Sequence, residues 1–350
     1  MSKVQKSIIL ASCMASALAQ AYSPQTVRGV RTNDGLMTFD AQTVDSAGAF
    51  LVGELERLDQ TLNLPLVDVS WGRDIQLRED VTIADEMSSF TNSSFAAAGG
   101  PSAQGKNWIG KDTTTIKGLA LDIGKTAKPL TLWGMELGWT IPELESAQKL
   151  GRPVDSQKVA GMEMKRNMDI DEQIYIGDTQ LSQTGLLNDA GISLANVSNG
   201  DWANPTTTPD EILADINEIL YRGWQQSGFA ICPRDLLLPP LKFGTLVTRK
   251  VSDAGNISIL EYVRMNCISF AKNGVPLNIN PVKWLTGAGA GATDRMVAYT
   301  NDKTRVRFPL VPVQRTPLEY RSLNQLTTYF CRLGCVEWVY PETGAYADGI

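Results

Sequence analysis

The stretch Trp133-Gly-Met-Glu-Leu-Gly-Trp-Thr-Ile141 places an apolar side chain at every second position. Period-two alternation marks a strand with one buried face, so Trp133 and Trp139 are expected as core anchors. Thr140 and Glu143 have capping-box spacing, with Pro142 in the first turn. The strand should therefore feed directly into a short helix ending near Gly151. Beyond it, residues 155–176 hold no proline and a single glycine, Gly161. A helix of that length would measure roughly 33 Å and stop at Gly177. Val159, Met162, Ile170 and Ile174 form its apolar stripe, with mixed charges on the other faces.

Upstream, residues 71–83 alternate loosely at Ile75, Leu77, Val81 and Ile83, and residues 113–123 alternate at Leu119, Leu121 and Ile123. These read as two arms of a hairpin. Between them runs Ser88-Ser-Phe-Thr-Asn-Ser-Ser-Phe-Ala-Ala-Ala-Gly-Gly-Pro-Ser-Ala-Gln-Gly105, small and polar. It exceeds the roughly 12–15 residues beyond which loops are functional or disordered. A two-stranded ribbon is marginal alone in water, and arms of about 11 residues reach on the order of 35 Å. The ribbon is therefore expected to lean on another surface, that of a neighbouring subunit. Further upstream, Lys3, Lys6, Arg28 and Arg31 precede the first acid, Asp34, which gives residues 1–31 a charge of +4 on a chain of net charge −6. That suits an arm lying on a neighbour or facing a polyanion. Lys3 and Lys6, then Ser7-Ile-Ile-Leu-Ala-Ser-Cys13 and Ala17-Leu-Ala19, imitate a secretion signal or lipoprotein box. The apolar run from Ile8 to Ala11 falls short of a signal's roughly 7–15 residues, so an uncleaved cytosolic chain is expected. No stretch reaches the roughly 18 apolar residues of a membrane span, and no membrane partner is expected.

Downstream, Thr208-Pro-Asp-Glu211 repeats the capping signature, and Ile212, Leu213, Ile216, Ile219 and Leu220 continue with helical period to Gly223. Phe229-Ala-Ile-Cys-Pro233 reads as a short buried strand and residues 257–265 as a helix. Residues 296–299 and 304–308 read as a hairpin around Asn301-Asp302, and 327–340 as a last long strand region. Gly287-Ala-Gly-Ala-Gly291 lacks a Lys-Ser/Thr ending and precedes no helix, so it reads as a flexible turn and not a phosphate loop.

Histidine is absent, which removes imidazole bases, Ser-His-Asp and Cys-His pairs, and His-bound zinc or haem. Lys plus Arg number 32 against 38 Asp plus Glu, the reverse of a dedicated nucleic-acid binder. Cys13, Cys232, Cys267, Cys331 and Cys335 show no C-x-x-C pair and read as reduced, mostly buried thiols. The acids at 143, 145, 169, 171 and 172 have spacings that seldom converge on one ligand. No Gly-turned calcium loop, S-x-x-K or G-x-S-x-G is present, so no catalytic residue, metal or cofactor is expected. The eight tryptophans are scattered and read as core or interface anchors.

Three motifs carry a family resemblance. Glu172-Gln-Ile-Tyr-Ile-Gly-Asp178 followed by Thr184-Gly-Leu-Leu-Asn188 is similar to the spine-helix end of tailed-bacteriophage major capsid proteins. Ile231-Cys-Pro-Arg-Asp235 resembles a segment of their A-domain, and Ala345-Tyr-Ala-Asp-Gly-Ile350 the close of one subgroup. With the order of elements, the chain resembles this family and its Hong Kong 97-type fold, an α+β architecture. The resemblance implies an N-terminal arm at 1–74, an extended E-loop hairpin at 75–125 and an axial A-domain at 190–294. It implies a discontinuous peripheral P-domain at 126–189 and 295–350, with its spine helix at about 155–176.

The same resemblance implies a structural protein, not an enzyme, that self-assembles into hexamers and pentamers of an icosahedral shell enclosing double-stranded DNA. The protein would be part of a virion capsid assembled in the host cytoplasm. Its implied partners are itself, a portal protein, a separate scaffold protein, a decoration protein, and packaged DNA by non-specific proximity. Phe90, Phe95, Lys106, Trp108 and Lys111 are the expected assembly contacts. Some members crosslink an E-loop lysine to a P-domain asparagine; Lys106 and Lys111 lie in the loop, but no asparagine or helper acid is matched, and solvated lysines are the favoured reading. An encapsulin-like compartment shell shares the fold and remains an alternative. A secreted lipoprotein or hydrolase, drawing on Cys13, is another.

Overall fold

The computed structural model describes residues 65–97, 111, 119–150, 154–252 and 256–350. In chain order its first half comprises α1 (Trp71–Asp74), β1 (Gln76–Arg78), β2 (Met87–Ala97), β3 (Leu119–Pro129), β4 (Thr131–Thr140), α2 (Ile141–Leu150), α3 (Val154–Tyr175), β5 (Ser193–Asn196) and α4 (Pro209–Gln226). There follow β6 (Asp235–Leu238), α5 (Pro240–Thr248), α6 (Ile259–Asn266), α7 (Ile268–Asn273), β7 (Asn278–Pro281), β8 (Arg295–Tyr299) and β9 (Val306–Pro309). The chain closes with β10 (Gln314–Arg315), β11 (Glu319–Arg321), β12 (Asn324–Leu333), β13 (Glu337–Trp338) and β14 (Ala345–Asp348).

β4 alternates as its sequence requires, with Leu137 and Trp139 buried and the even positions from Leu132 to Thr140 exposed. The buried face packs on Met162 and Val159 of α3, and along its length β4 pairs antiparallel with β12. The capping box at the strand end is formed: the Glu143 amide donates to Thr140 Oγ1 at 3.2 Å and the Thr140 amide to Glu143 Oε2 at 3.5 Å. α3 occupies the span predicted for the long helix to within one residue at each end. Its C-terminus is clasped by the second half of the quoted motif. Leu186 and Leu187 amides donate to the carbonyls of Ile174 and Tyr175 at 2.7 and 3.1 Å. Asn188 Nδ2 donates to the Ile176 carbonyl at 2.6 Å. These bonds satisfy carbonyls that a helix end leaves without partners. Gly185 is required by closeness, since a Cβ there would lie 2.4 Å from the Tyr175 oxygen.

The five-stranded sheet runs in the order β5-β14-β8-β6-β7 and buries both faces. Leu236, Leu238, Met296, Ala298, Ala345 and Ala347 turn to one side, against Ile212, Ile216, Ile219 and Leu220 of α4. The alternate residues Leu237, Val297, Tyr299 and Tyr346 turn to the other, against Ile170, Ile174 and Tyr175 of α3. β5, β6 and β7 come from residues 190–294, whereas β8 and β14 come from 295–350. The boundary expected at 294/295 falls between strands of one hydrogen-bonded sheet, in which the closing strand β14 lies between β5 and β8.

Three local expectations are corrected. The first ribbon arm is β2, not residues 71–83: β2 pairs antiparallel with β3 from Met87↔Pro129 to Ala97↔Leu119. Residues 71–83 serve the body instead, with Ile75 buried and β1 parallel to β9. Residues 229–233 form no strand; the strand begins at Asp235, where Leu236, Leu237 and Leu238 can all be buried between two layers. Finally, β8 and β9 are no hairpin. β8 lies in the five-stranded sheet and β9 between β1 and β13, so the turn around Asp302 carries the chain from one sheet to another.

Candidate assembly surface

Beyond its root, the β2–β3 ribbon has little to rest on among the described residues. Every residue of β3 from Leu119 to Ala127 is exposed. Leu119, Leu121 and Ile123 share one face of it at 66, 54 and 61 % exposure. Near the root the opposite parity faces the body: Ser88 and Phe90 are buried, and Asn92 Nδ2 donates to the Val339 carbonyl at 3.1 Å. Phe90, expected as a contact with a neighbour, is instead buried in its own chain, because it shares the face of Ser88. Phe95 stands opposite Leu121 in the register. Lys111 is exposed in a turn, while Lys106 and Trp108 lie outside the described residues.

The root is held by a buried carboxylate. Glu337 in β13 has no exposed side-chain surface and accepts from Arg307 Nε at 2.7 Å and from Arg78 Nη1 at 3.3 Å. The hydroxyl of Ser88, the second residue of β2, also donates to it. Arg78 reaches on to the Ser89 carbonyl at 3.1 Å and to Asp80 at 2.7 Å. The hydrogen bond from Arg78 holds the Asp80 carboxyl below the usual carboxylate range. Charges from β1, β9 and β13 thus meet one ribbon hydroxyl. The sequence gives one hint of this, a glutamate inside the apolar run Cys335-Val-Glu-Trp-Val339; its partners, far apart in the chain, left no trace in spacing.

A second buried group ties residues 70–74 to the body. Asp171 accepts from the Ser70 and Trp71 amides at 3.1 and 3.2 Å and from Trp284 Nε1 at 2.7 Å. Asp74 takes a two-pronged contact from Arg73 at 2.6 and 2.8 Å, and Tyr175 donates to it at 2.6 Å. Burial, then the Asp74 charge, pushes the Tyr175 hydroxyl well up. Trp139 is buried, and Trp133 is half-buried with its Nε1 donating to Asp169 at 2.9 Å. Among the described residues the four cysteines are buried free thiols, pushed up by desolvation. Cys13 lies outside them. Nor does any group of three Cys, Asp or Glu side chains among the described residues stand ready for a metal. The structure therefore offers surfaces and braces, with charge spent on internal ties.

The chain was compared with known proteins at the levels of sequence and fold. No curated protein matches it by sequence. The capsid of Myoviridae phage XM1 is similar in structure with a TM-score of 0.69 at 15 % identity, over 91 % of this chain and 100 % of that one. The capsid of a native GTA particle gives 0.60 at 11 % identity, over 89 % and 99 %. The SrpI encapsulin complex of Synechococcus elongatus PCC 7942 gives 0.50 at 13 % identity, over 86 % and 95 %. These likenesses establish the α+β fold of the Hong Kong 97 type. The family model described as major capsid protein matches residues 105–350. A mixed fold with a projecting ribbon, together with that match over most of its length, places this chain in the major capsid protein family, whose members build the virion shell from copies of themselves.

Proposed function

We propose that copies of this chain close into the hexamers and pentamers of an icosahedral shell around double-stranded DNA, assembled in the host cytoplasm. The observation that carries this reading is the uncovered row of Leu119, Leu121 and Ile123 on a ribbon of 11-residue arms. Each such side chain gains roughly 1.5–3 kcal/mol on full burial, and in this reading a neighbouring copy supplies the cover that the described residues do not. The outer part of the E-loop expected at 75–125 lies across the next subunit, with Phe95, Lys106, Trp108 and Lys111 among the contacts, while residues 75–83 stay with their own body and Phe90 braces the root. Residues 1–74 form the N-terminal arm, 126–189 and 295–350 the peripheral domain around α3, and 190–294 the axial domain. Trp133 and Trp139 hold β4 on α3. The work is mechanical and needs no active site or cofactor. A portal protein, a separate scaffold protein and a decoration protein complete the partners, and the acidic balance suits a container that does not clamp its genome.

The test is the double variant Leu121→Lys with Ile123→Lys. Both side chains are exposed, so the unassembled subunit should melt as the wild type does, while negative-stain microscopy should show no closed particles. Closed particles of ordinary size would overturn the reading. The weaker likeness to an encapsulin sets the remaining contrast, since nuclease-protected DNA inside the particles marks a genome shell and an enclosed protein marks a cargo compartment.

A further inference from the structure

The two edges of the five-stranded sheet are finished differently. At the β7 edge Pro281 has no N–H to offer, and Arg73 donates to its carbonyl at 3.0 Å. Lys283 holds the Asp68 carbonyl at 2.6 Å and Asn280 reaches Asp74 at 3.4 Å, so residues 68–74 close that side. At the far end, among the described residues, β5 is paired on one side only, with β14. The Val197 amide donates to the Asp348 carbonyl at 2.9 Å. By the two-residue period of a strand, Ser193 and Ala195 also turn their backbone groups toward β14, and the N–H and C=O of Leu194 and Asn196 face outward. Leu194 is 48 % exposed.

Beside this edge lies an open groove of about 580 Å³, lined by Ser193 of β5 and by Glu218, Tyr221, Arg222, Gln225 and Gln226 of α4. Tyr221 belongs to an aromatic group in which its ring centroid lies 6.2 Å from that of Phe229, itself 5.2 Å from Trp224. Phe229 is half exposed at a φ of +63°. A bulky residue in the left-handed region is strained, and such strain persists only where the surroundings impose it. Here a Trp224 Nε1 bond to the Phe229 carbonyl at 2.9 Å helps to impose it. The result is a phenyl ring held half in water, which gains the isolated chain little.

We propose that the β5 edge and its aromatic flank receive an extended segment of a second copy of this chain, added to the sheet as a further strand. The inference rests on the shell reading. In a shell of like copies, the molecule abutting each flank is another copy. One closed and one open edge, four strand spacings or roughly 19 Å apart, give the head-to-tail polarity that builds a ring and not a two-fold pair. Backbone bonds to Leu194 and Asn196 supply the attachment, and an apolar side chain laid on the α4 face of the edge, against Tyr221 and beside Ser193, sets the register.

Hydrogen exchange on wild-type particles and free subunits tests this directly. Amides of the 193–197 segment should exchange about ten-fold or more slowly in particles. Leu194→Pro removes an outward donor and no bond to β14, so subunit melting should hold while particle yield falls by about ten-fold or more. Phe229→Gly relieves the left-handed strain; its subunit should melt at or above the wild-type temperature, again with yield reduced. Equal exchange in particles and free subunits, or wild-type yields from both variants, overturns the inference and leaves the shell reading intact. A wild-type chain that forms no particles overturns both.

Discussion

Glu337 is a charge placed where only its partners make it tolerable. Its carboxylate has no exposed surface and serves Arg78, Arg307 and the Ser88 hydroxyl together. Removing one member of a buried charge group leaves the others unpaired, so Glu337→Ala should destabilise the unassembled subunit by about 3 kcal/mol, read as a shift of the urea midpoint. An unchanged midpoint would show that the arginines reach water unaided. Trp139→Ala acts through lost packing and not a lost hydrogen bond, because its indole nitrogen is buried without a hydrogen-bond partner and the ring meets the core on one side and Lys158, 6.0 Å from its centroid, on another. The expected loss is about 3–5 kcal/mol, whereas Leu121→Ala, on the exposed ribbon face, should leave subunit stability almost unchanged. Sequence reading finds Trp139 and misses Glu337 for a physical reason. A tryptophan on a period-two face announces its burial locally, while a buried acid depends on arginines 259 and 30 residues away.

At the scale of elements, what was legible is what has one buried face within its own chain. β4, α3 and α4 each show their period plainly, and the capping box Thr208/Glu211 forms with bonds of 2.6 and 3.3 Å. Thr208→Ala should cost about 1 kcal/mol, visible as a lowered melting temperature. β2 was illegible because its Ser- and Asn-rich part from Thr91 to Ser94 is exposed throughout, with no covered face among the described residues to impose alternation. Partners distant in sequence were illegible too: the split of β8 from β9 depends on β14 and β13. The clasp at the end of α3 explains the quoted motif by geometry. Gly185→Ala would push a methyl group against the Tyr175 carbonyl oxygen, where 2.4 Å is available. The loss should be about 3 kcal/mol, measured by denaturation, and a wild-type midpoint would refute the clasp.

For the molecule as a whole, titration frames a stable window. Burial raises the hydroxyls of Tyr175, Tyr299 and Tyr346. The folded state therefore holds those protons more tightly than the unfolded chain. That contribution is complete below the ordinary tyrosine value of about 10 and is lost as pH climbs past it. Asp80 and Asp302 are lowered, by the Arg78 bond and by the Thr304 amide. Their contribution is present above the usual aspartate value of about 4 and disappears as pH falls below it. With no histidine in the chain, subunit melting temperature should fall on both flanks and show no imidazole step between about pH 6 and 7. A mid-range step would contradict this. The sheet that unites these layers has β14 in its interior, between β5 and β8. Residues 345–348 leave the ribosome later than every other strand, so a product stalled before them carries a gap where the sheet should be continuous. Without residues 345–348, β5 and β8 would lose the strand that joins them, and the core on both sides of it would open.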